Sequence, residues 1–131
     1  MPQRPAAVAA WHEIVVSKDP SLLDAVLADD VVFRSPAVFA AQEGRDLTTL
    51  YLTCAMTVLG PTLQYLHEWY SDDSAVLEFQ ADLDGTLVHG VDMLRWNADD
   101  RLTGFTVMVR PMRGLTALID RMARELAAAQ A

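Results

Sequence analysis

One cysteine, Cys54, is all the thiol this 131-residue chain carries. That excludes an internal disulfide and agrees with a reducing compartment. Its three histidines, His12, His67 and His89, are scattered and never fall at metal-ligand spacing, so neither a metal centre nor another cofactor is expected. Positive charge is scarce as well. Ten Lys and Arg face 18 Asp and Glu, a net −8, and no basic cluster interrupts the excess. Phosphate backbones and anionic lipid surfaces would be repelled, so neither nucleic acid nor membrane is an expected partner. No apolar run approaches the roughly 18 residues of a membrane span. The opening "MPQRPAAVAAWHEIVV" has Trp, His and Glu where a secretory signal would be apolar, and the expected compartment is the cytoplasm. Neither a Gly-rich phosphate loop nor a nucleophile elbow is present.

What remains is mostly core material. Hydrophobic residues make up 52% of the chain, ample for one domain over residues 1–131, with a frayed Ala-rich tail from Ala127. "PAAVAAWHEIVVSK" places Val8, Trp11 and Val15 on one helical face. "DPSLLDAVLADD" opens with Asp19 as N-cap and Pro20 at the first helical position, and predicts a helix to about Ala28. "VVFRSP" reads as a short strand stopped near Pro36. "GRDLTTLYLTCAMTVLGP" reads as a third helix, ended by Gly60 and Pro61. Cys54 sits on its apolar stripe as a small buried hydrophobe. Four strands come next at about 62–70, 75–83, 86–96 and 101–110, and Leu115, Leu118, Ile119, Met122 and Leu126 form the stripe of a last helix. Helices first and then a run of strands is the pattern of an α+β fold, three N-terminal helices on a curved antiparallel sheet with an extra C-terminal helix.

Asp92 stands in the middle of one of those strands, in "HGVDMLRW". A two-residue turn at Asp84-Gly85 pairs Leu83 with Thr86, and hence Phe79 with Gly90 and Leu77 with Asp92. A turn within "NADD" pairs Trp96 with Arg101 and Asp92 with Phe105. Paired residues share a face. One face therefore carries Leu77, Phe79, Ala81, Val88, Leu94, Trp96, Phe105 and Val107, and Asp92 with them. That face is the covered one, so Asp92 points inward. The strand at 62–70 has two possible registers. One turns Gln64, Leu66 and Glu68 inward; the other turns Leu63, Tyr65, His67 and Trp69 inward and is the more apolar. In the second, His67 approaches Asp92.

A carboxylate in apolar surroundings costs several kcal/mol if it stays charged and unpaired, and desolvation raises its pKa. Asp92 then serves either as a neutral hydrogen-bond donor or as a base near neutral pH. The plainer reading has it bond Trp11, Tyr51 or a buried water and merely fix packing.

Two stretches resemble a known family. "LLDAVLADDVVFRSP" and "HGVDMLRWNADDRLTGFTVMVRP" are similar to the helix-to-strand entrance and the last hairpin of the nuclear transport factor two-like superfamily, which includes ketosteroid isomerases and SnoaL-like polyketide cyclases. The resemblance implies a cone-shaped α+β barrel with a deep pocket, and commonly a homodimer through the outer sheet face. It sets Asp92 where ketosteroid isomerases keep the protonated aspartic acid of their oxyanion hole, a system that also serves as a standard example of a neutral carboxylic acid donor. The family's tyrosine donor falls at about Trp11 and its aspartate base at Ser35. Serine cannot shuttle a proton between carbons without another base, so steroid isomerisation is not expected. Gly90 stands where the epoxide hydrolases of this fold carry an Arg, which disfavours that chemistry too.

The resulting expectation is a pocket protein that binds a small apolar or aromatic molecule. Asp92 and His67 are the candidate catalytic pair, and Trp11, Ser35, Tyr51, Phe79, Trp96 and Phe105 the candidate ligand-binding residues. Isomerisation or cyclisation through Asp92 is one reading, and a non-catalytic binding module is another. A dimerisation domain whose pocket is filled by its own side chains is a third, favoured by a cavity below about 300 Å³. On the outer face, Val76, Val91, Met93 and Met108 mix with charges, the pattern of a self-complementary twofold contact.

Overall fold

The computed structural model describes residues 3–130. Helix α1 (Ala6–Ser17) buries Ala7, Val8, Trp11 and Ile14, the spacing of one helical face. It ends where Lys18 turns left-handed and donates its N–H to Ile14 O at 2.8 Å. Asp19 caps the next turn as expected, accepting from Ser21 N with Pro20 at the first position. The element it opens is shorter than expected, a 3₁₀ turn (Pro20–Leu22) running into α2 (Leu23–Val26). The chain becomes extended at Leu27, so strand β1 covers Leu27–Arg34 and the expected helix to Ala28 is overridden. Leu27, Val31 and Phe33 are buried in the core, which outweighs the local helical pattern.

A short strand β2 (Gln42–Glu43) pairs with β1, and α3 spans Arg45–Leu59. Strands β3 (Gln64–Tyr70), β4 (Ser74–Leu83), β5 (Thr86–Trp96) and β6 (Leu102–Arg110) form the expected antiparallel meander. At its centre, Asp84 and Gly85 both take positive φ, +53° and +95°, as the tight hairpin requires. Helix α4 runs Met112–Ala129, so the tail expected to fray from Ala127 is helical through Ala129; Ala131 lies outside the described residues.

The sheet has six strands in the order β2-β1-β6-β5-β4-β3. It departs from expectation in two ways. Strand β1 pairs parallel with β6, so the sheet is mixed; α3 and the meander supply the long crossover that parallel neighbours need. It is also open rather than closed into a barrel, with β2 and β3 as its edges. The other pairings agree with the hairpin arithmetic in parity. Leu77 lies opposite Asp92, as expected. Across β6, Asp92 lies opposite Val107 and not Phe105: the turn closes on Leu102 in place of Arg101, a bulge at Thr103 adds one residue more, and the even total leaves Asp92 on its expected face.

Helices α3 and α4 pack against each other, α3 over β1 and β4, and α4 over β4, β5 and β6. The interior divides into two apolar clusters. One joins α1, α2 and β1 to Leu77, Leu94, Trp96 and Phe105; the other joins Val58, Leu59, Phe79, Ala81, Leu83, Val88 and Leu118. Tyr65 and Val107 touch both. A cavity opens between these clusters.

Candidate active site

Where the two clusters fail to merge, a cavity of about 230 Å³ remains. Trp11, Phe33, Tyr51, Tyr65, Phe79 and Phe105 contribute aromatic walls, and Leu118, Ile119 and Met122 of α4 cover one side. Four rings run in succession. Trp11 and Phe105 meet edge to face at 4.8 Å between centroids, Phe105 and Phe33 lie 6.0 Å apart, and Phe33 and Tyr51 5.6 Å. Nearly everything else on the lining is aliphatic. Asp92 is the conspicuous exception.

The Asp92 side chain points into this space and the residue is 7% exposed. Its partner is Tyr65, whose hydroxyl donates to Asp92 Oδ2 at 2.5 Å. The indole N–H of Trp11 in turn donates to the Tyr65 oxygen at 2.8 Å. Burial pushes the Asp92 carboxyl up to about 7, against the opposing effect of the Tyr65 hydrogen bond. Burial, and after it the neighbouring Asp92 charge, holds the Tyr65 phenol well above its ordinary value. The carboxyl therefore exchanges a proton near neutrality while the phenol stays protonated.

Gly90 makes room for the Phe79 wall of the cavity. A Cβ built there would stand 2.3 Å from Met108 O and 2.8 Å from the Phe79 ring, so the missing side chain is what lets that ring lie over strand β5.

The anticipated residues divide clearly. Asp92, Trp11, Ser35, Tyr51, Phe79 and Phe105 all line the cavity. Trp96 is buried at 7% exposure but packs in the first cluster and does not line it. Ser35 stands beside Pro36, Ala37 and Val38, and its hydroxyl accepts from the amides of Ala37 at 3.1 Å and Val38 at 3.4 Å, holding the turn out of β1.

His67 is a correction. A bulge at Leu66 breaks the alternation of β3, pairing Tyr65 with Phe79 but His67 with Glu78. The His67 side chain is 73% exposed, and its Nδ1 lies 3.0 Å from Glu78 Oε1 on the outer face. It does not approach Asp92. The residue that does is Tyr65, which the more apolar register turns inward without giving it a role. Beyond the bulge the other register takes over, and Glu68 faces in opposite Leu77. Glu68 does not reach Asp92 either. It binds Arg4 at 3.3 Å, and also His12 and Tyr70. Burial opposes its ionisation, yet the bonds from Tyr70, His12 and Arg4 outweigh that and hold its carboxyl below the ordinary value.

No group of three or more His, Cys, Asp or Glu side chains among the described residues could hold a metal ion. No helix among them is long and apolar enough to cross a membrane.

An open six-stranded mixed sheet with helices over one face and a lone acid in an apolar cavity defines a class of α+β folds. Comparison with known proteins narrows it. No family model matches the chain, and no curated protein matches it. Among solved structures, a steroid delta-isomerase from Pseudomonas aeruginosa is 35% identical, covering 99% of this chain and 98% of its own, at TM-score 0.91. An uncharacterised protein with a cystatin-like fold from Silicibacter pomeroyi is 30% identical over 95% of this chain and 89% of its own, at TM-score 0.86. An NTF2-like protein of unknown function from Mesorhizobium loti shares the fold at 18% identity and TM-score 0.72, covering 85% of this chain and 98% of its own. The chain belongs to the nuclear transport factor two-like superfamily, with its ketosteroid isomerase-like members.

Proposed function

We propose that this protein binds a compact apolar or aromatic molecule in the cavity and moves a proton on it through Asp92, as an isomerase or cyclase would. The observation that carries the reading is the Trp11–Tyr65–Asp92 chain at an otherwise apolar cavity. A carboxyl brought to about 7 both takes and returns a proton at neutral pH, which is the requirement for general acid–base work. Tyr65 orients that carboxyl and Trp11 orients Tyr65. Phe79, Phe105 and Tyr51 shape the space, and Ser35 lies at its edge. His67 has no part in it.

The Pseudomonas aeruginosa neighbour's name suggests steroid isomerisation, and two features argue against that substrate here. The serine at the family's base position has its hydroxyl occupied by two backbone amides. The cavity is also small. Benzene occupies an engineered cavity of about 150 Å³, and a four-ring skeleton carries roughly three times the carbon. A void of about 230 Å³ suits one or two rings.

The same volume favours a second reading. It falls below the roughly 300 Å³ of most ligand sites, as expected if the fold is a binding or dimerisation module partly filled by its own aromatic side chains. In either reading we infer a homodimer through the outer sheet face, where Trp69 and Met108 are more than half exposed, and a cytoplasmic location. Mass spectrometry of small molecules retained through purification separates the two readings, paired with an NMR titration of Asp92 and turnover by Asp92→Asn on whatever is found. An ordinary pKa with unchanged affinity and turnover removes Asp92 from the mechanism.

A further inference from the structure

We propose that the occupant of this cavity is a compact organic cation, a protonated amine of one- or two-ring size, held by Asp92 against the aromatic walls. The inference rests on the cavity being a small-molecule site, and adds the charge and size of what enters it.

The proton directions in the network carry the argument. An indole N–H only donates, so Trp11 fixes itself as donor and the Tyr65 oxygen as acceptor. Tyr65 has one proton, and it is committed to Asp92 Oδ2. Both donors are therefore spent, directly or in series, on the protein's own carboxylate. An oxyanion hole needs donors aimed at a ligand oxygen; here they are aimed the other way. The chain Trp11 to Tyr65 to Asp92 supports negative charge on Asp92, and what it lacks is the counter-ion.

Among the described residues, the cavity wall does not supply one beside Asp92. Among the residues lining the cavity, Lys18 is the single basic side chain, and it is exposed. A buried carboxylate without a cation is costly, and its elevated pKa reports that cost. A ligand bearing an N–H⁺ group relieves it by pairing with Oδ1, the oxygen Tyr65 leaves free. The run of rings from Trp11 through Phe105 and Phe33 to Tyr51 is suited to the rest, since aromatic surfaces attract cations. An anionic ligand would meet Asp92 with no compensating charge. The net −8 of the whole chain acts in the same direction.

Three probes of matched shape test this on the full-length protein: benzylamine, benzyl alcohol and benzoate, titrated calorimetrically at about pH 8, where Asp92 is ionised and the amine protonated. Benzylamine is expected to bind at least about tenfold more tightly than benzyl alcohol, with benzoate weakest. Its affinity should weaken as pH falls through the Asp92 titration. Asp92→Asn should bring the amine-to-alcohol ratio to about one, while Asp72→Asn, an exposed charge-matched control, leaves it unchanged. A second readout needs no variant. At about pH 6 the ¹³C resonance of the Asp92 carboxyl should move to its ionised position with benzylamine and stay with benzyl alcohol. If benzyl alcohol binds as well as benzylamine, or the preference survives Asp92→Asn, the cation assignment is overturned and the small-molecule site stands. If none of the three binds, both fall.

Discussion

Replacing Asp92 with asparagine should make this protein more stable, and by an amount set by pH. Asparagine has nearly the same shape, still offers an amide oxygen to the Tyr65 hydroxyl, and cannot ionise. The wild-type carboxyl is moved from 3.8 to about 7, chiefly by burial. Below about pH 4 folded and unfolded chains both hold the proton, and the site adds no pH dependence. Between about 4 and 7 the unfolded chain has released its proton while the folded one keeps it. Folding then takes up a proton, and stability falls as pH rises. Three units at about 1.4 kcal/mol each amount to about 4 kcal/mol, lost progressively and fully absent above pH 7. Domains of this kind are stable by roughly 5–15 kcal/mol, so the effect is large. Urea unfolding of wild type and Asp92→Asn at matched pH values measures it, because every other titrating group cancels in the difference. The advantage of the variant should be smallest near pH 4, grow through pH 5 and 6, and level off above about 7. A difference that stays flat across that range would mean Asp92 titrates as an ordinary surface carboxyl, and the reasoning about the cavity would fail with it.

Removing the Tyr65 hydroxyl with Tyr65→Phe deletes the one contact that lowers the Asp92 pKa, so an NMR titration should show its midpoint rising; a fall or no change contradicts the assigned hydrogen bond. Gly90→Ala places a methyl 2.3 Å from Met108 O and 2.8 Å from the Phe79 ring, and chemical denaturation should register a loss of about 1–3 kcal/mol. His67→Ala should leave the Asp92 midpoint in place, since His67 is bonded to Glu78 on the opposite face; a displacement of more than about half a unit would return it to the site.

The inward direction of Asp92 is legible in the sequence because parity survives small errors of register. Simple turn counting at NADD misses the partners of Leu94 and Asp92 by two residues, yet an even shift still brings both out on the covered side. Phe79 and Phe105 emerge from the same alternation. Trp96 shares that parity but sits at the far end of β5, where burial does not mean proximity to the void. Parallel pairing of β1 with β6 is not legible, because adjacency between strands so far apart in sequence has no local signal. The early end of α2 is hidden for a related reason: "LADDVV" carries helix formers, and only the tertiary demand for Leu27, Val31 and Phe33 in the core makes it a strand.

Strand β3 poses a choice between two registers, and the structure uses both. With strict alternation, Tyr65 inside forces Glu68 outside, since three residues separate them and the period is two. The site needs both inside. Tyr65 must reach Asp92, and Glu68 must hold Arg4 and His12, which flank the N-terminal part of α1. Adding one residue at Leu66 reconciles the two demands, and His67 is turned outward as a result. The consequence reaches the chemistry. Trp11 is the neighbour of His12 on α1, so the Glu68 contacts fix the helix at the position from which the indole N–H meets Tyr65. A β3 without the bulge would keep either the tyrosine that orients the acid or the glutamate that anchors the helix carrying its other donor. Only the broken strand provides both, which makes an irregularity in the backbone a precondition for the Trp11–Tyr65–Asp92 chain.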